Sequence, residues 1–559
     1  MHKSYFSLYI REISIRICRH MKFSKFIWGL LICLFFAHIG TRPLANPDEG
    51  RYADMGLEML QTGDWIVPHL NGLIYFEKPP LAYWTIALGE YIFGTNCFGA
   101  RFFNALFSLL TCLALYLFCK RFLSKSVGLW SAFIYGTSAL PFGMSQMLTL
   151  DNTLTFFLTS TLLLFAGGFL EEKSRVSRIF FLLAYLFMGL TVMTKGLIGI
   201  VLPGLIGLPW LIYTGYIKKL SQAHLFKGIC IVLLVTAPWH CLVQQRYDCF
   251  FNFYFWHEHF ERYFTSAHNR GKPFYFLINS FLLGLIPWLF FLPRALYCAL
   301  KSPGSVLERR VVIFSLLWSC LIVSFFATSH SQLIPYILPA ISGMVIATAA
   351  GFVKINLEKV RLECLIWAVL FLVAACFIPM ALTKKALEPV PNVLVFFAQA
   401  LLFFGSILSL CFLKKHTKKS FYILFLTTVL LYLVLPIYLP YYQRLRGDGV
   451  CTYLKNKKTS PENVFCAFNY FNDLPFYLKH CVGTIDCIPE EHTLGYKTEP
   501  CLYYKSWSAF KTVWLRSDVC YTVVKKGQES AFTSRMGEGT FYLLYQDSFF
   551  SLYSNRSDG

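Results

Sequence analysis

The 559-residue sequence predicts a polytopic α-helical membrane protein, and three observations predict it. Hydrophobic residues make up 56% of the chain and charged ones only 14%, against roughly 25% charged in soluble domains. Mean hydropathy is +0.52, which excludes a soluble globular enzyme. Apolar stretches of the length needed to cross a bilayer recur thirteen times, at 26–41, 102–119, 127–143, 153–170, 179–194, 197–213, 225–243, 275–297, 311–327, 333–351, 363–381, 392–413 and 420–439. Prolines inside them, such as Pro203, Pro238 and Pro287, are tolerated in membrane helices.

Each element follows from its charges. Lys+Arg number 51 against 30 Asp+Glu, a net +21. The basic residues fall in alternate short loops, for example Lys120, Arg121 and Lys125, or Lys173, Arg175 and Arg178, and in a basic arm over 1–25. By the positive-inside rule these face the cytoplasm, so the excess is an orientation signal and no nucleic-acid partner is expected. The first apolar run has no small-residue cleavage site and is expected to stay as an anchor. An odd count then puts 441–559 outside, beyond a membrane domain at 26–440, as a folded α+β domain with β-rich pieces such as Tyr521–Val524. Its six cysteines allow up to three disulfides.

The unusual residues concentrate in two outer loops, 42–101 and 244–274, both amphipathic and aromatic, as expected of segments lying along the interface. In the first, Asn46-Pro47-Asp48-Glu49 starts a helix, and Asp48, Arg51 and Tyr52 stand within one turn. A role as helix-terminal acids stands beside a catalytic one for Asp48 and Glu49. Tyr75-Phe76-Glu77-Lys78-Pro79-Pro80 sets an acid and a base before a rigid proline pair, which reads either as an exposed ion pair or as a metal- or phosphate-binding element. In the second loop, His257-Glu258-His259 precedes Arg262, and the histidine pair reads either as interface decoration or, with Glu77 from the first loop, as a His/carboxylate divalent site. Asp151, Lys195 and Tyr336 are three further outer features, read separately as cap, anchor and turn, or together as members of one reactive face.

Acids, bases and aromatics at one interface suit a substrate that is part lipid and part polar, such as a sugar on a polyprenyl phosphate. Nothing resembling a P-loop is present, and no nucleotide cofactor is expected. A transporter or flippase for a lipid-linked sugar is the competing class, but it would place charge near the midplane.

The run NPDEGRYADMGLEMLQTGDWIVPHLNGLIYFEKPPLAYW, followed by LTLDNTLTFF, MTKGLIGIVLPG, EHFERY and SQLIPYILPA, resembles the phospholipid-carrier-dependent membrane glycosyltransferases that include the lipid A 4-amino-4-deoxy-L-arabinose transferases. The resemblance covers about the first 350 residues. It implies a GT-C type fold with about 13 transmembrane helices, interfacial juxtamembrane helices and an outer domain, in a bacterial inner membrane. It implies a polyprenyl-phosphate-linked sugar donor and an envelope acceptor such as lipid A or another glycan. It makes Asp48 the catalytic carboxylate of the acidic pair Asp48-Glu49, with Asp151 a second acidic motif. Lys78 and Arg262 would meet the donor phosphate, Arg51, Tyr52, Tyr75, Tyr336 and Lys195 would line the same cavity, and Glu77 and His259 would hold a zinc-like divalent ion. Gln332 stands where relatives commonly carry lysine.

Overall fold

The computed structural model describes residues 24–261, 272–384, 386–443, 445–457, 463–487, 503–517, 519–537 and 539–557, apart from the side chains of 257–261 and 382–384. A short apolar helix, α1 (Ser24–Phe36), leads into two juxtamembrane helices, α2 (Asp48–Thr62) and α3 (Leu81–Phe93), separated by the hairpin β1 (His69–Leu70) and β2 (Leu73–Ile74). The bundle continues through α4 (Cys97–Phe122), α5 (Lys125–Gly136), α6 (Ala139–Ser145), α7 (Leu150–Leu170), α8 (Ser174–Lys195), α9 (Ile198–Thr214) and α10 (Leu225–Arg246). Beyond the second loop come α11 (Tyr275–Gly284), α12 (Leu292–Lys301), α13 (Val306–Ala327), α14 (Leu338–Phe352), α15 (Arg361–Lys384), α16 (Asn392–Leu413) and α17 (Thr417–Tyr438).

All thirteen predicted stretches carry helix, but in two forms. Among the described residues nine helical segments are long and apolar enough to cross a membrane: α4, α7, α8, α10, α13, α14 with the turn before it, and α15 to α17. The other four stretches are shorter or broken, at α1, α5–α6, α9 and α11–α12. A break inside hydrocarbon leaves backbone groups that must be satisfied by protein. Here the two breaks satisfy each other: the Ala139 N–H donates to the Ile286 carbonyl (2.8 Å), which also accepts from the Tyr432 hydroxyl (3.1 Å). The Trp288 indole donates to the Thr137 hydroxyl at 2.9 Å.

Helices α7 and α14 are the most enclosed, whereas α15 and α16 turn most of their surface outward. Small residues permit this packing: a Cβ on Gly343 would come within 2.7 Å of the Ser315 carbonyl, and one on Gly351 within 1.7 Å of the Ala295 carbonyl.

The C-terminal region is built around a six-stranded mixed sheet. Strands β3 (Val464–Ala467), β4 (Gly483–Ile485), β5 (Tyr503–Tyr504) and β6 (Tyr521–Lys525) are parallel in the order β5-β4-β3-β6, and β7 (Tyr542–Gln546) and β8 (Phe550–Ser554) close the β6 edge antiparallel. The sheet is not built on three disulfides, because Cys451, Cys466 and Cys520 are buried free thiols.

This domain sits directly on α2 and the β1–β2 turn. Asn71 and Val482 exchange hydrogen bonds, side-chain amide to carbonyl and N–H to side-chain oxygen, both at 2.8 Å. Asn46 donates to Asp473 (2.6 Å) and accepts from its N–H (3.1 Å), and the Leu44 N–H donates to the Tyr477 hydroxyl at 2.8 Å. Gly50 permits the approach: a Cβ there would lie 2.6 Å from the Asp473 backbone nitrogen.

Candidate active site

The polar side chains of the first loop gather at the membrane face where α2 meets the starts of α4 and α7 and the end of α8. Asp48 and Glu49 open α2 behind Pro47, and neighbouring positions on a helix point in different directions. Asp48 stays outside, about half exposed, and forms an ion pair with Arg51 one turn on. Glu49 points inward and is fully buried. Its carboxylate accepts from Arg42 (2.6 and 2.8 Å), from Arg101 (2.8 and 2.9 Å), and from the N–H groups of Ala45 and Leu148. Burial opposes its charge, but the two guanidinium groups outweigh this and hold the carboxyl well below the usual range. The structure therefore corrects the reading of Glu49 as a reactive carboxylate: it has no face open to a substrate and instead anchors α2 to α4.

Tyr52 links the remaining groups. It stacks on Tyr83 (6.1 Å between ring centres) and lies within electrostatic reach of Arg51, Asp48, Asp151 and Glu77, while burial raises its pKa. Tyr75 is also buried and its pKa is raised, first by burial and then by Glu77. Burial opposes the charge of Arg51, yet Tyr75, Tyr52, Asp48 and Glu77 overcompensate and keep it ionised. Lys78 follows Glu77 at the head of α3, where its ammonium donates to the Glu77 carbonyl at 2.6 Å.

The second group comes from three distant helices. Asp151 lies in the first turn of α7, and Lys195 ends α8, which Gly196 closes at φ +81°. Lys195 pairs with Asp151 at 2.5 Å, and its ammonium lies 4.3 Å from the ring centre of Tyr336 in the turn before α14. A buried amide network braces the start of α7: Asn152 donates to the Asn104 side chain (3.0 Å) and the Met144 carbonyl (2.6 Å). Gln332 caps carbonyls of its own turn, at Ala327 (2.9 Å) and Ser329 (3.2 Å).

Eight predicted site residues, Asp48, Arg51, Tyr52, Tyr75, Glu77, Asp151, Lys195 and Tyr336, thus lie within electrostatic reach, ion pair or ring contact of one another's neighbours at one face. The His259 side chain and Arg262 lie outside the described residues. Among the described residues no group of three His, Cys, Asp or Glu could hold a metal ion, so Glu77 is the one half of the expected donor pair whose setting is seen. Sequence reasoning missed Arg42 and Arg101, which hold Glu49. It also missed Asp54 and Glu58, buried on α2, although their four-residue spacing on an otherwise apolar face was a usable signal.

The family model for dolichyl-phosphate-mannose-protein mannosyltransferase matches residues 77–241. Curated relatives include undecaprenyl phosphate-alpha-4-amino-4-deoxy-L-arabinose arabinosyl transferases, one from Erwinia tasmaniensis (31% identical, over 60% of this chain and 61% of the relative) and one from Pseudomonas aeruginosa (33%, over 58% and 60%). The chain thus spans about three-fifths of the length of the curated relatives it matches. The crystal structure of ArnT from Cupriavidus metallidurans bound to undecaprenyl phosphate superposes with a TM-score of 0.84 at 24% identity, covering 96% of this chain and 98% of that one. An oligosaccharyltransferase from Archaeoglobus fulgidus is more distant, with a TM-score of 0.52 at 13% identity over 96% of this chain and 74% of that one. The chain therefore has an ArnT-like GT-C fold, and the resemblance its loop motifs carry to the phospholipid-carrier-dependent membrane glycosyltransferases is borne out.

Proposed function

We propose that the protein is a membrane glycosyltransferase that moves a sugar from a polyprenyl-phosphate donor to an envelope acceptor, lipid A or another glycan or lipid, at the outer face of a bacterial inner membrane. In this reading the N-terminus is cytoplasmic and the C-terminal domain periplasmic. The relatives' names point to undecaprenyl phosphate as carrier and an aminoarabinose as sugar. The observation that carries the reading is the polar cluster around Tyr52, which combines Asp48 and Asp151 with Arg51 and Lys195 at one membrane face. Charge at one interface suits a lipid-linked substrate whose tail lies in the bilayer and whose phosphate meets cations at the surface.

The chemistry is a single inverting displacement at the anomeric carbon. The acceptor oxygen forms the new bond, the bond to the lipid phosphate breaks, and that phosphate leaves with the electron pair. Lys78, Arg262 and Arg51 stabilise the charge developing on it. For a hydroxyl acceptor, half-exposed Asp48 takes the proton, and its pairing with Arg51 orients the carboxylate. For a phosphate acceptor, already anionic, Asp48 orients the sugar instead. Glu77 and His259 offer one carboxylate and one imidazole, a donor set that suits a zinc-like ion in a positional role. Elemental analysis of the wild type and Glu77→Gln tests that binding without reference to activity.

The test of transfer uses full-length protein in vesicles containing polyprenyl-phosphate sugar and lipid A. Mass spectrometry should show the acceptor gaining one sugar, with Asp48→Asn slowed about 10²- to 10⁴-fold for a hydroxyl acceptor. Sugar crossing the bilayer with no glycosidic product would replace transfer by transport.

A further inference from the structure

Away from the site, at the opposite ends of the same helices, α4, α7 and α8 leave a groove of about 630 Å³. That volume lies within the range of ligand sites, about 300–1,000 Å³. Its walls are apolar, with Leu113 and Leu117 from α4, Leu164 from α7 and Phe187 from α8, and it ends at Lys120 and Arg121. Because α4 runs away from the site, the groove follows it from Leu110 to Arg121, about 17 Å at 1.5 Å per residue. That is close to half of the roughly 30 Å hydrocarbon core, the depth of one leaflet.

The charge at its mouth has one sign in excess. Arg121 is held by Glu171 at 2.8 Å, but exposed Lys120 has as its neighbour the Tyr116 ring, 5.6 Å from the ammonium. The adjoining turn into α8 adds Lys173, Arg175 and Arg178 against Glu172. A one-leaflet apolar slot with a cationic end matches a molecule with an acyl chain and an anionic head.

We propose that this groove is a binding site for a diacyl phospholipid with an anionic headgroup, taken from the leaflet at the basic-loop face. Its phosphate sits at Lys120 and Arg121, and one acyl chain lies between α4 and the α7–α8 pair. The lipid carrier is a poor fit, because its phosphate would lie on the far side of the membrane from Asp48 and a polyprenyl chain outreaches one leaflet. The site is independent of the transfer chemistry.

Native mass spectrometry of the full chain, extracted from vesicles of equal phosphatidylglycerol and phosphatidylcholine, tests it. The wild type should retain phosphatidylglycerol about fivefold over phosphatidylcholine, and Lys120→Gln should lose that preference, the effect of one cation at a lipid surface. Ala114→Trp, which fills the groove wall, should lose both lipids. Lys120 is exposed, so its variant keeps the proposal testable if Ala114→Trp fails to fold. Equal retention of the two lipids by the wild type, an unchanged preference in Lys120→Gln, or displacement of phosphatidylglycerol by added polyprenyl phosphate would overturn the proposal.

Discussion

The two ends of α2 bury carboxylates in opposite ways. At its start, Glu49 is enclosed between Arg42 and Arg101 and stays ionised. Further along, Asp54 and Glu58 are equally buried, but what faces them is the N–H groups of Asn71 (3.0 Å) and Gly72 (2.7 Å). Nearby Glu90 on α3 is buried as well, and neither carboxylate oxygen has a hydrogen-bond partner among the described residues. Burial pushes Asp54 up to about 7 and also raises Glu58 and Glu90 well above the usual carboxylate range, with Asp54 adding to both. Depth in the protein is therefore not what decides whether a carboxyl is charged. A guanidinium in contact decides it.

The largest effect that would break this comparison is loss of one partner from the ionised end. Removing Arg101 leaves Arg42 alone to hold buried Glu49 and strips the donor from the Ile39, Arg42 and Pro43 carbonyls, at a cost of about 3–5 kcal/mol. Arg101→Met should therefore lower the thermal stability of the detergent-solubilised protein more than any other single change in the first loop. A shift no larger than that of a surface variant would mean that Glu49 finds water when Arg101 is gone.

Next in size is an opposed pH dependence. Asp54 has a raised folded pKa, so the folded state binds the extra proton. Its contribution is fully present below the usual carboxylate value of about 3.8 and is lost as pH rises through about 7. Glu49 has a lowered pKa, so its contribution is present above 4.5 and is lost as pH falls through its folded value. Thermal melts between about pH 5 and 8 should show stability declining by a few degrees in the wild type. The double variant Asp54→Asn/Glu58→Gln should flatten that decline, and an unchanged slope would place the titrating groups elsewhere.

The contrast also explains what the sequence could reveal. The spans were legible because about twenty apolar residues have few other uses, but the breaks at Thr137 and Pro287 were not, since each exists by virtue of the other's backbone. The Asp48–Arg51 pair followed from i,i+3 spacing. Asp151, Lys195 and Tyr336 read one by one as cap, anchor and turn, and only tertiary packing of α7, α8 and the turn before α14 joins them. Glu49 was misread because a helix-terminal acid looks the same in sequence whether it faces substrate or a buried arginine. Its partners Arg42 and Arg101 lie 7 and 52 positions away, with nothing local to mark them.

The smallest effect concerns how the outer domain reaches the same helix. Asn71 closes the β1–β2 turn with φ +52°, a conformation asparagine tolerates, and its side chain both donates to and accepts from Val482. Its own N–H is the donor to Asp54, so one residue joins the outer domain to the stretch of α2 whose carboxyls have raised pKa values. Asn71→Ala keeps that backbone donor but leaves the Val482 N–H and carbonyl unpaired in a buried seam, at a cost of about 1–3 kcal/mol. Limited proteolysis should then release the 441–559 region faster, while the pH slope carried by Asp54 and Glu58 stays. If the slope vanishes together with docking, the raised carboxyls depend on the domain that covers them. The two ends of α2 would then differ in what encloses them as well as in their counterions.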